Sequence, residues 1–238
     1  MSHKAKVCDF DGTIIRRLPG TLLERLTRDF YNEQESKLRK LDIFARYLIV
    51  KTGKALTTVP GKIFEDQYMT GETTSMQIYE KFILKKLGMP ISFVREKAKE
   101  YAKLIQQRHI DAFKRCSCDT YIVSAEPIQL LEEVMQNAGI TVKKIYGTQF
   151  KMVDNIITGF ERTKLFAGMR GKHLGLDRIL SNGYSEVHAI GDAMADIGLF
   201  REYNVIPCTF YDAPEQLYKY VKGKGGKIVK DLEEFFSL

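Results

Sequence analysis

What most constrains this chain is the spacing of its strand-like segments. A short apolar run around Val7, residues 4–9, reads as a strand. The next comparable runs come more than a hundred residues later: DTYIVS (119–124), KKIYGT (143–148), EVHAIG (186–191) and YNVIPC (203–208). Each is short, apolar and followed by polar or glycine residues, and helical patterns lie between several of them. Strands buried on both faces read as near-continuous apolar runs, and parallel neighbours need crossover helices. The expected fold is therefore α/β: a doubly wound, mainly parallel sheet, a Rossmann-like core. The helix after the second run is well signalled. Pro127 fits its first turn, Leu130, Leu131, Val134 and Ala138 line one face, and Gly139 can end it.

Between the first and second runs the chain changes character. Long helical patterns, such as LLERLTRDFYNEQESKLRKLDIFARYLIVK and SFVREKAKEYAKLIQQRHIDAFKR, are separated by turn signals at TTVPGK (57–62), TGE (70–72) and LGMP (87–90). A helical module at 16–118 thus interrupts a core made of 1–15 and 119–238. The length of 238 residues and an apolar fraction of 44% suffice for such a core, and 11% aromatic residues argue against disorder.

Charge divides the same way. Residues 14–118 hold 21 of the 37 Lys and Arg but 12 of the 30 Asp and Glu, a net +9, which leaves −2 for the rest. Such an excess usually means solvated helix faces; the alternatives are a field that draws an anionic substrate or a nucleic-acid surface. No recognisable nucleic-acid module or aromatic-rich basic patch accompanies it, which weighs against the last. No apolar run approaches the ~18 residues a membrane span needs. The N-terminal MSHKAKV lacks an apolar signal core, so a cytoplasmic location is expected. Cys8, Cys116, Cys118 and Cys208 have no zinc-site spacing and read as reduced packing thiols. His3, His109, His173 and His188 are scattered and suggest no constellation.

The chemistry-bearing residues sit just past the strands. In VCDFDGTII, Asp9 and Asp11 are one residue apart, so on an extended chain both face one spot while Phe10 packs inward. Gly12 permits a turn, and Thr13 can cap the departing chain. Two like charges at the end of a buried strand are costly unless a cation sits with them. A second acidic pair, Asp192 and Asp196 in AIGDAMAD, follows a later strand; on a helical turn their spacing puts both on one face. Carboxylates converging at one sheet edge, with no His or Cys nearby, favour Mg²⁺. Ser124 ends the strand DTYIVS, ahead of the helix at Pro127, where its hydroxyl and the first amides would face an anion. A lysine is needed to balance phosphate and carboxylate charge: Lys172, in RGKHLGL, or its competitor Lys164.

DFDGT, an apolar strand ending in Ser, a lysine and then GDxxxD, in that order, resemble the haloacid dehalogenase-like superfamily of phosphohydrolases. More narrowly, YIVSAEP…IYGTQFKMVDNIITGFE…GKHLGLDRIL…AIGDAMAD is similar to its phosphoserine-phosphatase-like branch. The resemblance covers residues 5–15 and about 118–232 and makes the inserted module a helical cap by placement. It implies a phosphoric monoester hydrolase acting on a small phosphorylated metabolite. Asp9 would attack phosphorus and form an aspartyl-phosphate. Asp11, its pKa raised, would protonate the leaving oxygen and then take a proton from water. Mg²⁺ would be held by Asp9, the Asp11 backbone carbonyl and Asp192, with Asp196 orienting this shell or Lys172. Ser124 and the amides near Phe10 and Ala125 would hold phosphate oxygens, and Lys172 would neutralise charge during transfer.

One place departs from the branch. Its phosphoserine phosphatases carry a glutamate soon after DGT that meets the substrate ammonium; here Leu18 stands about there, preceded by Arg16 and Arg17. An arginine pair repels an ammonium and attracts anions, so the expected substrate is a more anionic ester, with Arg16 and Arg17 shaping selectivity. A sister reading passes the same aspartyl-phosphate to a hydroxyl, as a phosphotransferase or mutase does. A third, from another class, has the basic cap bind nucleic acid or present a phosphorylated end to the core.

Overall fold

The computed structural model describes residues 3–16, 21–33, 80, 84–161, 166 and 168–238. Along them run β1 (Lys4–Cys8), α1 (Leu22–Asn32), α2 (Ile91–Ala102), α3 (Gln107–Arg115), β2 (Asp119–Pro127), α4 (Ile128–Asn137), β3 (Lys144–Thr148), β4 (Phe150–Val153) and β5 (Ile156–Phe160). There follow α5 (Gly168–Leu180), β6 (Glu186–Ile190), a 3-10 helix (Met194–Leu199), β7 (Val205–Phe210), α6 (Glu215–Gly223), β8 (Lys227–Val229) and α7 (Leu232–Ser237).

Six strands form one sheet in the order β3-β2-β1-β6-β7-β8, and every neighbouring pair is parallel. The chain works outward from β1 to β3, returns to lay β6 beside β1, and continues to β8. Strand order thus reverses between β1 and β6, the switch point where open α/β sheets bind ligands beyond the strand carboxyl ends.

Side chains alternate across β1. Ala5 and Val7 join the apolar layer that includes Leu176 of α5 and Leu217 of α6, while Cys8 joins the opposite layer with Leu130 of α4 and Phe235 of α7. Both faces are therefore covered, as a parallel sheet requires. The four cysteines are free thiols, with Cys8 and Cys208 buried. Among the described residues, no helix is long and apolar enough to cross a membrane.

Helix α4 follows its expected pattern, with Leu130, Leu131 and Val134 buried and Gly139 past its end at φ +65. Pro127 is its cap rather than a first-turn residue, because β2 runs on to Pro127 through a register shift between Val123 and Pro127. The antiparallel β4–β5 hairpin and the short β8 fall where no strand was read. The hairpin turns at Asp154 and Asn155, both at positive φ, and β4 exposes Lys151, Met152 and Val153, so its sequence has no apolar alternation. Much of the expected 16–118 module lies outside the described residues. Its last helices, α2 and α3, lie in the same apolar layer as α4 and α7.

Candidate active site

The site begins where β1 stops. The Asp9 amide donates to the Ile190 carbonyl at 3.0 Å, extending the β1–β6 ladder by one residue. Phe10 then buries its ring completely. A tight loop follows, in which the Ile14 amide donates to the Phe10 carbonyl (2.8 Å) and the Gly12 amide to the Ile15 carbonyl (3.0 Å). Gly12 sits at φ +76, and a Cβ there would overlap the Asp192 carboxylate. Only glycine lets the two acidic loops approach so closely.

From the other strand of the switch point, Asp192 and Asp196 turn toward the same place. Oxygens of Asp9, Asp192 and Asp196 lie within 4.8 Å of one another. Thr13 does not cap the chain as expected; its hydroxyl donates to Asp192 Oδ1 at 3.0 Å and aims that carboxylate. Asp196, fully buried on the 3-10 helix, accepts the Asp192 and Ala193 amides on Oδ2, each at 2.8 Å, and an ion pair from Lys172 on Oδ1. Lys172 Nζ also stands 2.8 Å from Asp9 Oδ1. Its helix, α5, approaches β2 closely because Gly175 is bare; a Cβ there would press into Val123.

Electrostatics follow from this crowding. Burial pushes Asp9 well above the ordinary carboxylate range; Lys172 opposes the shift, and Asp196 and Asp192 add to it. Asp192 is pushed up to about 6 by burial and then by Asp196. Burial would lower Lys172, but Asp196 and Asp9 outweigh it and raise its pKa. Among the described residues three carboxylates thus crowd one ammonium, which pairs with Asp9 and Asp196, and they offer oxygen donors.

Asp11 faces a different neighbourhood. Its Oδ2 accepts the Leu22 amide at 3.3 Å, and among the described residues its buried Oδ1 has no hydrogen-bond partner. Burial raises its pKa, the direction a leaving-group acid needs. Beside it is Glu126, 4% exposed, whose pKa is raised well above the ordinary range by burial and then by Asp11. An acid in an apolar strand, in YIVSAEP, was the available signal, since a buried carboxyl demands partners.

Ser124 and Ala125 lie two and three residues beyond Ile122, which pairs with Cys8, and so at the same sheet edge as Asp9. Ser124 is 2% exposed, and its hydroxyl accepts the Glu126 amide at 3.2 Å. Arg16 stacks on Phe210 at 4.0 Å, donates to the Lys230 carbonyl at 3.2 Å and pairs with Asp212. Arg17, Leu18 and Lys164 lie outside the described residues. The described histidine contacts lie elsewhere: His173, next to Lys172 in sequence, turns to Asp177 and Glu202, and His109 to the Ile14 carbonyl.

A doubly wound parallel sheet with acidic loops and a buried lysine at its switch point has the architecture of an α/β hydrolytic enzyme. The family model described as haloacid dehalogenase-like hydrolase matches residues 7–201, and the chain belongs to that family. No curated protein matches by sequence. Among solved structures, a Bordetella pertussis Tohama I protein of unknown function has a TM-score of 0.67 at 12% identity, over 98% of this chain and 100% of that one. Cytosolic 5′-nucleotidase IIIB bound to cytidine has a TM-score of 0.62 at 15% identity, over 92% and 78%. A phospho-aspartyl intermediate analogue of phosphoserine phosphatase has a TM-score of 0.58 at 16% identity, over 100% and 99%. At such identities these likenesses concern the fold, which is that of haloacid dehalogenase-like phosphatases.

Proposed function

We propose that this chain is a Mg²⁺-dependent phosphatase that hydrolyses a small phosphate monoester through an aspartyl-phosphate on Asp9. One observation carries the reading: Lys172 Nζ lies 2.8 Å from Asp9 Oδ1 while Asp192 and Asp196 crowd the same point. A structural ion pair needs one carboxylate for one ammonium. The surplus of buried negative charge at a ligand-binding edge calls for a further cation, and an all-oxygen donor set suits a hard divalent one.

Mg²⁺ fits these residues. Asp9, Asp192 and the Asp11 backbone carbonyl would hold it; Asp196, already engaged by Lys172 and two amides, would orient the set. When bound, the ion supplies charge neutralisation at the transferring phosphoryl group.

The chain's own groups do the rest. A carboxylate oxygen of Asp9 forms the new bond to phosphorus as the bond to the ester oxygen breaks. Asp11 gives its proton to that departing oxygen, then accepts one from the water that hydrolyses the aspartyl-phosphate. Lys172 balances charge beside Asp9, and Ser124 with the amides around Phe10 and Ala125 grips phosphate oxygens. Residues 16–118 serve as a cap whose positive charge draws anionic substrate. Arg16 shapes selectivity only by exchanging Asp212 for substrate, since its guanidinium is already committed there.

The test is phosphate release with Mg²⁺ over a panel of sugar, acid, amino-acid and nucleoside phosphates, the last two prompted by the named structural neighbours. Release that needs Mg²⁺ and disappears in Asp9→Asn is expected. Release undiminished in Asp9→Asn, or absent across the panel, would overturn the reading.

A further inference from the structure

We infer that Glu126 is a positioning residue that holds the acid Asp11 in place and ties it to the start of the inserted module. The inference rests on the phosphatase reading, in which Asp11 protonates the leaving oxygen.

The geometry is a chain of three contacts. The carboxyl of Glu126 lies beside that of Asp11, since the consecutive Leu22 and Leu23 amides donate to Asp11 and Glu126 in turn, at 3.3 and 2.8 Å. Its Oε2 accepts the Leu23 amide at 2.8 Å, and its own amide donates to Ser124 Oγ at 3.2 Å. One buried residue thus touches the acid, the hydroxyl proposed to grip phosphate, and helix α1. The first amides of α1 are shared out accordingly: Leu22 donates to Asp11, Leu23 to Glu126 and Glu24 to the cap hydroxyl of Thr21. Helix amides left free at a buried N-terminus must find acceptors; here two acceptors belong to the active site. The helix that opens the insertion is docked on the acid itself.

Without Glu126, Asp11 would keep a single fixed partner, the Leu22 amide at 3.3 Å. The terminal torsion of an aspartate is broad, so one long bond does not fix it. Misplacing a reacting group by about 1 Å lowers rate on the order of 100-fold. The loss must fall on the step that Asp11 serves. An alkyl ester needs its leaving oxygen protonated, whereas p-nitrophenolate departs readily without a proton.

The test compares Glu126→Ala, Glu126→Gln and Asp9→Asn with the unaltered protein. The substrates are p-nitrophenyl phosphate and whichever of glycerol phosphate, phosphoserine and ribose 5-phosphate it hydrolyses fastest. For Glu126→Ala we expect kcat/KM, which reports transfer to Asp9 and not the later hydrolysis that both esters share, to fall roughly 30- to 100-fold on the alkyl ester and by less than about fivefold on p-nitrophenyl phosphate. Glu126→Gln keeps an acceptor for the Leu23 amide and a donor for Asp11, so it should recover most of the alkyl-ester rate. Equal losses of kcat/KM on both esters, or a Gln variant as poor as Ala, would overturn the inference, because a merely structural role lowers both alike. Should the Ala variant fail to fold, Glu126→Met, which matches the side chain's length without its hydrogen bonds, replaces it under the same criteria. Hydrogen exchange at the Leu23 amide is read in parallel and needs no substrate. It should speed up about tenfold when the carboxyl is removed, and an unchanged rate would contradict the tie to α1. Activity surviving in Asp9→Asn would instead sink the phosphatase reading and leave the exchange result to judge that tie.

Discussion

Replacing Lys172 by Met keeps the length of the buried stem and deletes the charge. In the intact protein the ammonium is 4% exposed, 2.8 Å from Asp9 and paired with Asp196, with Asp192 nearby. At an effective dielectric of about 20, two unit charges at ~4 Å interact by about 4 kcal/mol, so the two contacts together outweigh what any surface pair contributes. Part of this is returned because the ammonium no longer needs desolvating. Breaking a buried pair from one side costs about 3–5 kcal/mol net. For a chain of this size that is roughly 6–20 °C in Tm. The sign of its pH dependence follows from the carboxylates left behind. Lys172 is what holds the raised pKa of Asp9 down, so without it the folded variant takes up protons more readily than the unfolded chain. The penalty is larger at pH 8 than at pH 5 and fades as the pH falls toward the unfolded carboxylate range near ~4. Urea unfolding of both proteins at pH 8 and pH 5 measures it. A difference below about 0.5 kcal/mol at pH 8, well short of a broken buried pair, or one that grows in acid, would refute the view that this lysine neutralises a buried acidic cluster.

Two further outcomes follow from the same cluster. Because Asp192 is pushed up to about 6, a cation must displace its proton below that pH. Titration calorimetry should find Mg²⁺ affinity falling at least about tenfold per unit below pH 6. Thr13→Val, isosteric at a fully buried position, removes the hydroxyl that aims Asp192. A hydrogen bond to a charged group contributes about 1.5–3 kcal/mol, so Mg²⁺ affinity should drop at least about tenfold; an unchanged affinity in the calorimeter argues against Asp192 as a ligand.

The sheet was legible because each of its long strands is an apolar run buried on both sides, and the acidic loops because they follow β1 and β6 directly. What the sequence left open was distributed over contacts distant in the chain. Thr13 looked like a local cap because nothing near it in sequence competes for its hydroxyl; Asp192, its partner, is 179 residues away. Glu126 gives no local signal because a carboxylate reads as a surface residue until Asp11 and the Leu23 amide are seen around it. Arg16 carries no local sign of its pairing with Asp212, which lies 196 residues away in the loop after β7. The β4–β5 hairpin has no clear mark in the sequence, since its turn is Asp-Asn and its exposed strand carries no alternating pattern. Local periodicity reports which residues are buried; it is silent on which buried polar groups meet.

The central claim is that Asp9 becomes phosphorylated. Acid-quenching the enzyme during steady turnover of a phosphorus-labelled substrate, followed by peptide mapping, tests it directly. The label should lie on the peptide containing Asp9, depend on added Mg²⁺ and vanish in Asp9→Asn. Label on another residue, or steady turnover by Asp9→Asn, would contradict it.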